Sequence, residues 1–275
     1  MALTEFNPIA EEKEIRSFLS EEARDIKISV VEVTGSTNED MKKRAREGED
    51  EISLLIANGQ TAGKGSKGRS FFSPDGTGVY MSFLVRPDCS AEESSLLTPM
   101  AAVATALAIE KVTGTEAKIK WVNDIFVGER KVSGILTEGA AKKDGSGLEW
   151  AVVGIGINIK RPEGGFPAEI EGIAGAVYEG GENLRNRIAA EVVNGFVRFY
   201  KRLTDRDFYE EYRKRLFILS KELTVTVADE SFTATAVDLD PMFRLKIRLS
   251  DGSERLLSSG EVTVRVAGSH APTRM

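Results

Sequence analysis

Glycines and cations alternate in one short stretch of this sequence, and that combination could bind an anion. Residues 63–69 read Gly-Lys-Gly-Ser-Lys-Gly-Arg, with three glycines and three cations in seven positions. Because glycine lets the backbone approach a ligand closely, exposed N–H groups beside lysine and arginine form a concavity for anions. The stretch therefore predicts an anion-binding loop, although its spacing alone fits a basic surface turn equally well.

Three known phosphate-binding loops can be compared with this stretch. A Walker A loop is excluded, because only three residues separate Gly59 from Gly63 and Gly65 follows the lysine. A dinucleotide fingerprint has the observed Gly-x-Gly-x-x-Gly spacing, but it must open a helix, and Pro74 and Gly76 follow too soon. A protein-kinase loop is excluded because the sequence contains neither His-Arg-Asp nor Asp-Phe-Gly.

Composition restricts the chemistry that the rest of the chain could supply. Thirty-seven lysines and arginines against forty-three acidic residues give a net charge of −6, so a general nucleic-acid-binding surface is not expected. Cys89 and His270 are the single cysteine and histidine, which argues against a disulfide, a cysteine-based zinc cluster or a histidine-dependent triad. With no signal-peptide pattern and no apolar run expected to span a membrane, the sequence predicts a soluble, cytoplasmic protein.

Hydrophobic periodicity predicts the elements that must hold the loop. Residues 9–24 suit a short amphipathic helix, residues 164–181 suit a loop or linker, and the segments between them predict an α+β domain. In chain order, strands are predicted at 26–33, 52–57, 78–85, 118–121, 125–127, 131–137 and 150–159, and helices at 36–46, 96–112 and 183–203.

Two local features of this domain indicate close packing. Gly154 and Gly156 interrupt an apolar run, as expected for a strand that is buried on both faces and approached closely at its bare backbone. Ser36 or Thr37 is predicted to cap the helix that starts there.

The pattern changes near Leu219, where short alternating segments begin. They lie at 223–227, 232–237, 243–249, 255–257 and 262–266, with turn residues between them. Such spacing predicts a small β-barrel module that follows the α+β domain.

With these elements in order, the sequence resembles the biotin protein ligases from about Val31 to Val266. The order and spacing of four blocks together are highly specific: Gly35-Ser36-Thr37-Asn38; Gln60 to Arg69 with Phe71 and Ser73-Pro74; Lys120-Trp121-Val122-Asn123-Asp124 with Lys131 to Glu138; and Val153 to Asn158. The resemblance implies a catalytic domain at 1–219, with a mixed β-sheet flanked by helices as in class II synthetases. A small SH3-like β-barrel with its tail would follow at 220–275.

The activity that the resemblance implies is a two-step ligation. Biotin and ATP form biotinyl-AMP, and a lysine of a biotin carboxyl carrier protein or domain then takes the biotin. Mg²⁺ is expected with ATP, although no metal ligands are assigned. Two alternatives stay open: a lipoate-type ligase of the same fold, and a non-catalytic binding module that uses the basic loop.

The resemblance also implies residue roles. Lys131 would bridge the biotin carboxylate and the α-phosphate, and Arg69 would clamp phosphate, so these two are the candidate catalytic cations. The other residues assigned to biotin are Ser36, Thr37, Asn38, Gln60, Gly63, Lys64, Gly65, Ser66, Gly134 and Ile135. The others assigned to the nucleotide or its metal are Phe71, Lys120, Asn123 and Asn158. A Lys120–Asp124 pair that holds the turn would explain those two residues equally well, and Trp121 is expected in the core.

Departures from the family pattern limit these assignments. Ser66 stands where the family loop usually has a second arginine, which predicts weaker retention of biotinyl-AMP unless Lys64 or Lys67 substitutes. Phe71 stands where a tryptophan usually covers the adenine, and Val122 replaces the usual proline. Because about thirty residues precede the first block, no winged-helix domain and no specific DNA binding are expected. The oligomeric state is left open, with a homodimer as one option.

Overall fold

A computed structural model describes residues 10–49, 52–177, 184–227 and 230–258, together with the backbone of 262–266. The α-helices are α1 Glu12–Ser17, α2 Thr37–Arg46, α3 Leu97–Thr113, α4 Ala168–Glu171, α5 Arg185–Tyr200 and α6 Tyr209–Arg215. The first seven strands are β1 Lys27–Thr34, β2 Ser53–Gln60, β3 Gly78–Val85, β4 Ala117–Lys120, β5 Asp124–Val127, β6 Arg130–Ala141 and β7 Leu148–Asn158. The remaining strands are β8 Glu222–Val227, β9 Glu230–Leu239, β10 Leu245–Arg248, β11 Glu254–Leu257 and β12 Val262–Val266.

The first sheet is mixed. Within the described ranges it has seven strands in the order β1-β2-β3-β7-β6-β5-β4. β1 runs parallel to β2, whereas the other neighbouring strands are antiparallel. The predicted α+β fold with a mixed sheet is therefore confirmed.

Helices cover both faces of this sheet because its central strands are apolar on both sides. On one face, Phe83 stacks on Phe196 of α5, with 3.8 Å between ring centroids, and α3 completes this main core. On the other face, Leu55, Leu84 and Val152 pack against Met41 of α2. Helix α2 thus covers only part of this face of the sheet. The N-terminal end of α2 lies beside the part that the helix does not cover, where the polar residues of this face are found.

The second sheet is a separate antiparallel unit in the order β11-β10-β9-β8-β12, which agrees with the predicted SH3-like module. It contacts the first domain through Phe243, whose carbonyl accepts a 2.8 Å hydrogen bond from Trp121 Nε1. Tyr212 of α6 donates to the carbonyl of Val122 at 3.0 Å. These two bonds fix the turn between β4 and β5, and Trp121 is buried as expected. We propose a domain boundary at 219/220, since β8 begins at Glu222.

Two predicted elements differ from the structure. The helix expected over 9–24 ends at Ser17 and is followed by the 3-10 turn Glu21–Ala23, because Asn194 of α5 accepts a hydrogen bond from the Ser20 backbone at 2.8 Å. The loop expected over 164–181 contains the short helix α4, and residues 178–183 lie outside the described ranges. Helix α6 was not predicted.

The expectation that no apolar segment reaches the length of a membrane span needs correction. Glu93–Thr113, which includes α3, is long and apolar enough to cross a membrane by length and composition. Its most apolar window is 67% buried inside the structure, as in a core helix of a soluble protein.

Candidate active site

The candidate site lies on the α2 face of the sheet, where two rows of residues cross β3, β7 and β6. Tyr80, Gly156 and Gly134 form one row, because each is paired directly opposite the next. Ser82 and Gly154 begin the neighbouring row in the same way. With glycine in both rows, the middle of the sheet presents bare backbone toward α2 and the glycine-rich loop.

The glycines of β7 are required by what lies against them. A Cβ on Gly154 would stand 2.1 Å from Oδ1 of Asn38, and a Cβ on Gly156 would stand 2.5 Å from the Phe71 ring. Real Cβ atoms do not approach other atoms so closely. The prediction that something lies close to the bare backbone of this strand is confirmed, and the neighbours are Asn38 and Phe71.

A buried polar network joins the start of α2 to β2 and β3. Gln60 Oε1 accepts hydrogen bonds from the backbone and hydroxyl of Thr37 at 2.9 and 3.1 Å. Ser82 Oγ lies 2.8 Å from Thr37 Oγ1 and 2.6 Å from Asn38 Oδ1. Ser36 occupies the N-cap position as predicted, but its side chain makes no capping hydrogen bond. The Thr37 hydroxyl bonds to Gln60 and Ser82 in the network instead.

Charged residues extend this network toward the glycine-rich loop. Asn38 Nδ2 donates to Glu138 at 2.9 Å, and Glu138 pairs with Lys42 at 2.8 Å. Lys42 pairs in turn with Glu39 at 2.7 Å, and Glu39 also accepts from Lys64. Hydrogen bonds from Lys42 and then Lys64 lower the pKa of the Glu39 carboxyl. Partial burial lowers the pKa of Lys42, but its bonds to Glu138 and Glu39 outweigh this and leave the pKa raised.

The glycine-rich loop forms a tight hairpin. Lys64 pairs with Ser70 in an antiparallel bridge, and Lys67 adopts a left-handed conformation with φ of 59° at the turn. Gly63 is required here, because a Cβ would lie 2.5 Å from the carbonyl oxygen of Phe71. This geometry places the loop beside the start of α2 rather than at the start of a helix of its own.

Arg69 is bonded within the loop. Its Nε donates to the carbonyl of Ser66 at 3.1 Å, and one terminal nitrogen donates to Ser66 Oγ at 2.8 Å. Ser66, which departs from the family pattern, therefore binds the guanidinium of Arg69, the group expected to clamp phosphate.

Lys131 stands at the rim of the glycine row. Its ammonium lies 2.6 Å from a carboxylate oxygen of Asp124 and 3.3 Å from where a Cβ on Gly134 would be. The backbone of Lys131 is held between Ile173 and Gly175, whose carbonyl and N–H bond to it at 2.8 Å each. Asp124 therefore pairs with Lys131, and Lys120 lies opposite Asp124 in the hairpin.

The two candidate nucleotide asparagines support the backbone around the site. Asn123 Nδ2 donates to the Ile135 carbonyl at 2.8 Å, and Asn158 Nδ2 donates to the Gly175 carbonyl at 3.0 Å. Because the amide nitrogens are engaged in this way, the side-chain oxygens are the atoms that could meet a ligand.

The structure brings many of the predicted residues into one pocket. The pocket is lined by the predicted residues Ser36, Thr37, Asn38, Gln60, Lys64, Phe71 and Gly134. Its volume is about 30 Å³, far below the roughly 300 Å³ or more typical of ligand pockets. Lys64 and Phe71 belong to the loop segment that covers the sheet here, so a larger ligand requires this segment to move.

Other predicted residues lie outside this pocket lining. Gly63, Gly65, Ser66 and Arg69 belong to the hairpin. The expectation that Ile135 lines the biotin site is wrong for its side chain, which is 2% exposed and lies in the core on the opposite face of the sheet.

Sequence motifs alone do not indicate several residues of the pocket and its network. Tyr80 and Ser82 could have been found from the two-residue period of β3, which places both on the face of Gly154 and Gly156. Burial raises the pKa of Tyr80 to about 12, and its hydroxyl donates to the Pro74 carbonyl at 3.0 Å. The contact between Glu138 and Lys42 carried no sequence signal, because it joins segments far apart in the chain.

A mixed sheet flanked by helices, a basic glycine-rich loop over a polar pocket and a C-terminal barrel agree with the fold expected of a biotin- or lipoate-type protein ligase. Residues 30–158 match the sequence model of the biotin/lipoate A/B protein ligase family.

Named relatives agree with this assignment. The bifunctional ligase/repressor BirA of Bacillus subtilis is 29% identical over 256 residues, which cover 90% of this chain and 77% of that protein. The biotin–[acetyl-CoA-carboxylase] ligase of Mycobacterium tuberculosis is 28% identical, with 86% of this chain and 88% of that protein covered. Among solved structures, the biotin protein ligase of Aquifex aeolicus in complex with biotin and ATP matches with a TM-score of 0.73 and 25% identity, covering 88% of this chain and 99% of that chain.

Proposed function

We propose that this protein is a biotin protein ligase that adenylates biotin with ATP and transfers biotin to a lysine of a carrier protein. The observation that carries the proposal is the convergence of Lys131, the start of α2 and the glycine-rich loop on one glycine-floored pocket. The match of residues 30–158 to the model of the biotin/lipoate A/B protein ligase family supports it.

The first step joins two anions. An oxygen of the biotin carboxylate attacks the α-phosphorus of ATP, and the bond to pyrophosphate breaks. Because negative charge accumulates on the phosphoryl oxygens, preorganised cations supply much of the rate. Lys131 is proposed to bridge the carboxylate and α-phosphate, since its ammonium is already fixed above Gly134 by Asp124. Lys64 and Arg69 are proposed to neutralise the remaining charge from the loop.

The polar network at the start of α2 is proposed to recognise the ureido ring of biotin. Ser36, Thr37, Asn38 and Gln60 line the pocket with hydroxyl and amide groups that can both donate and accept. A bound ureido group must find partners for its two N–H groups and its carbonyl, and each missing partner costs about 1–3 kcal/mol. Ligand bonds therefore replace some of the internal bonds that now join Gln60 to Thr37.

The nucleotide is proposed to lie beside this pocket, near Phe71, Lys120, Asn123 and Asn158. Among the described residues no group of three or more acidic, histidine or cysteine side chains converges to hold a metal ion. ATP is proposed to arrive as its Mg²⁺ complex, because Mg²⁺ keeps several waters and takes substrate phosphates as ligands. The side-chain oxygens of Asn123 and Asn158 suit such an ion, which would offset phosphate charge when bound.

The second step releases AMP. The neutral amine of a carrier lysine attacks the carbonyl carbon of biotinyl-AMP, an amide bond forms and the bond to AMP breaks. The names of two relatives specify acetyl-CoA carboxylase as the protein on which they act. We propose the biotin carboxyl carrier domain of a carboxylase as the acceptor here, in the cytoplasm.

A transfer assay tests this function. The protein is incubated with ATP, Mg²⁺, labelled biotin and a biotin carboxyl carrier domain, and label on the carrier is measured. A carrier whose target lysine is replaced by arginine is the control. Label on the normal carrier alone is expected, whereas no transfer over a range of Mg²⁺ concentrations would exclude the proposal. Competition by lipoate distinguishes the lipoate-type alternative, since biotin should compete far better.

A further inference from the structure

One glutamate outside the pocket lining connects the glycine-rich loop to helix α2. Oε1 of Glu39, in the first turn of α2, accepts a hydrogen bond from the ammonium of Lys64 and lies 2.7 Å from that of Lys42. Lys64 is the loop cation that lines the pocket. Glu39 therefore sets where this cation lies without lining the pocket itself.

The two lysines that share Glu39 differ in how firmly they are held. The Lys42 side chain is 13% exposed and is fixed by Glu138 at 2.8 Å, whereas the Lys64 side chain is 47% exposed. Glu138 is fixed in turn by Asn38 Nδ2 at 2.9 Å. Charges of alternating sign thus run from a pocket amide to the loop, and each bond is charge-assisted. The less exposed pair, Lys42 and Glu138, orients Glu39, and Glu39 orients the exposed Lys64.

This contact ties the loop to α2 at a second point. The first is at the base of the loop, where Gln60 bonds to Thr37. Between the base and the turn, the bridge from Lys64 to Ser70 makes the hairpin move as one unit. A contact at Lys64 therefore restrains the whole hairpin.

We infer that Glu39 is a positioning residue that holds Lys64, and with it the glycine-rich hairpin, over the pocket. Its effect on catalysis rests on the proposed biotin adenylation, whereas its effect on the loop does not. Because Lys64 lines the pocket and bonds to Glu39, a contact that restrains the hairpin should slow the escape of an adenylate bound there.

Limited trypsin digestion without ligands tests the restraint directly. The hairpin offers cleavage after Lys64, Lys67 and Arg69, and Glu39→Gln leaves these sites intact. Glu47→Gln is the matched control, since it removes the same charge from the end of the same helix, where Glu47 pairs with Lys43 at 3.9 Å. Cleavage of the hairpin should be about two- to fivefold faster in Glu39→Gln, the range expected for a partly exposed ion pair. Equal cleavage in the two variants and the wild type would overturn the inference.

A double-mutant cycle tests whether Glu39 acts through Lys64. The release rate of biotinyl-AMP is measured for Glu39→Gln, Lys64→Gln and the double variant, with dissociation of biotin as a second readout. Glu39→Gln should speed adenylate release about two- to fivefold and change biotin affinity less, and the double variant should match Lys64→Gln alone. Additive effects would contradict action through Lys64. If the wild type forms no biotinyl-AMP, the proposed function fails, and the digestion result still decides the role of Glu39 in the loop.

Discussion

The ammonium of Lys131 lies 2.6 Å from a carboxylate oxygen of Asp124, and both side chains are about a quarter exposed, at 27% and 21%. Asp124 is the direct partner of Gly134 across β5 and β6. The pair therefore stands at the end of the row in which Gly134 and Gly156 expose backbone. A cation fixed in this way needs little reorganisation when negative charge develops beside it.

Replacing Lys131 by Ala should abolish biotinyl-AMP formation. The ammonium is the cation proposed to neutralise both the carboxylate and the α-phosphate, and no neutral side chain can do so. The fold should persist because the side chain is only partly buried. Adenylation is measured from labelled ATP and biotin, and thermal unfolding checks the fold. Lys118→Ala on β4 is the control, since the Lys118 side chain is 43% exposed and pairs with Glu116; normal adenylation by Lys131→Ala would refute the assignment.

Replacing Asp124 by Asn should slow adenylation more than it weakens biotin binding. The substitution keeps the shape of the side chain but removes the charge that fixes Lys131, a loss of about 1–3 kcal/mol for a charge-assisted hydrogen bond. We expect a decrease in rate of about 5- to 150-fold. Single-turnover rates at saturating biotin and ATP, with calorimetry for biotin, separate the two effects. An unchanged rate with weaker biotin binding would show that Asp124 serves the pocket and not Lys131.

Replacing Gly154 by Ala should disrupt the pocket at Asn38. The new Cβ would stand 2.1 Å from Asn38 Oδ1 and would displace this side chain from Ser82 as well. Biotin affinity should fall at least tenfold, as expected for loss of one or two buried hydrogen bonds at about 1–3 kcal/mol each. Gly164→Ala is the control, because nothing lies within 4 Å of its Cβ position. Equal biotin affinity in both variants would remove Asn38 from the proposed site.

Sequence predicted the fold well because its signals are local. The apolar run of β3 was predicted with its observed bounds, and the Gly128-Glu129 turn joins β5 to β6 as its residue types indicate. Gly154 and Gly156 signalled close approach, since glycine within a strand has few other uses. Their neighbours could not be predicted, because Asn38 and Phe71 reach them from distant segments.

The charged part of the site was not predictable from sequence, for the same physical reason. Glu39, Lys42 and Glu138 look like solvated charges in their local context, and only the packing of α2 on the sheet brings them together. Ile135 failed differently, because the residue beside Gly134 in a strand must face the opposite side of the sheet. The motif resemblance assigned both Gly134 and Ile135 to the pocket, whereas strand geometry allows only one of the two to face it.

Tyr80 should make stability sensitive to alkaline pH. Burial raises its pKa from 10.0 to about 12, so the folded state keeps the phenol proton more tightly than the unfolded chain does. This contribution is complete below pH 10, and it is lost as the pH rises from 10 through 12. Wild type should lose roughly 2 kcal/mol more than Tyr80→Phe between pH 8 and 11.5 in urea unfolding. A parallel decline of the two proteins would mean that the phenol is solvated. The pH dependence of activity near neutral pH should contain no contribution from ionisation of Tyr80.

Replacing Ser66 by Arg should slow the escape of biotinyl-AMP. Ser66 Oγ now accepts a 2.8 Å hydrogen bond from Arg69, so the substitution adds a guanidinium and removes one of the two bonds that hold Arg69 to Ser66. Release of the adenylate, measured by trapping labelled biotinyl-AMP after dilution, should slow about tenfold, which corresponds to about 1.4 kcal/mol. Ser70→Arg is the charge-matched control, because it adds the same group on the opposite strand of the hairpin, where Ser70 pairs with Lys64. If both variants slow release equally, added charge alone is responsible; if Ser66→Arg releases the adenylate as fast as wild type, the loop position has no part in retention.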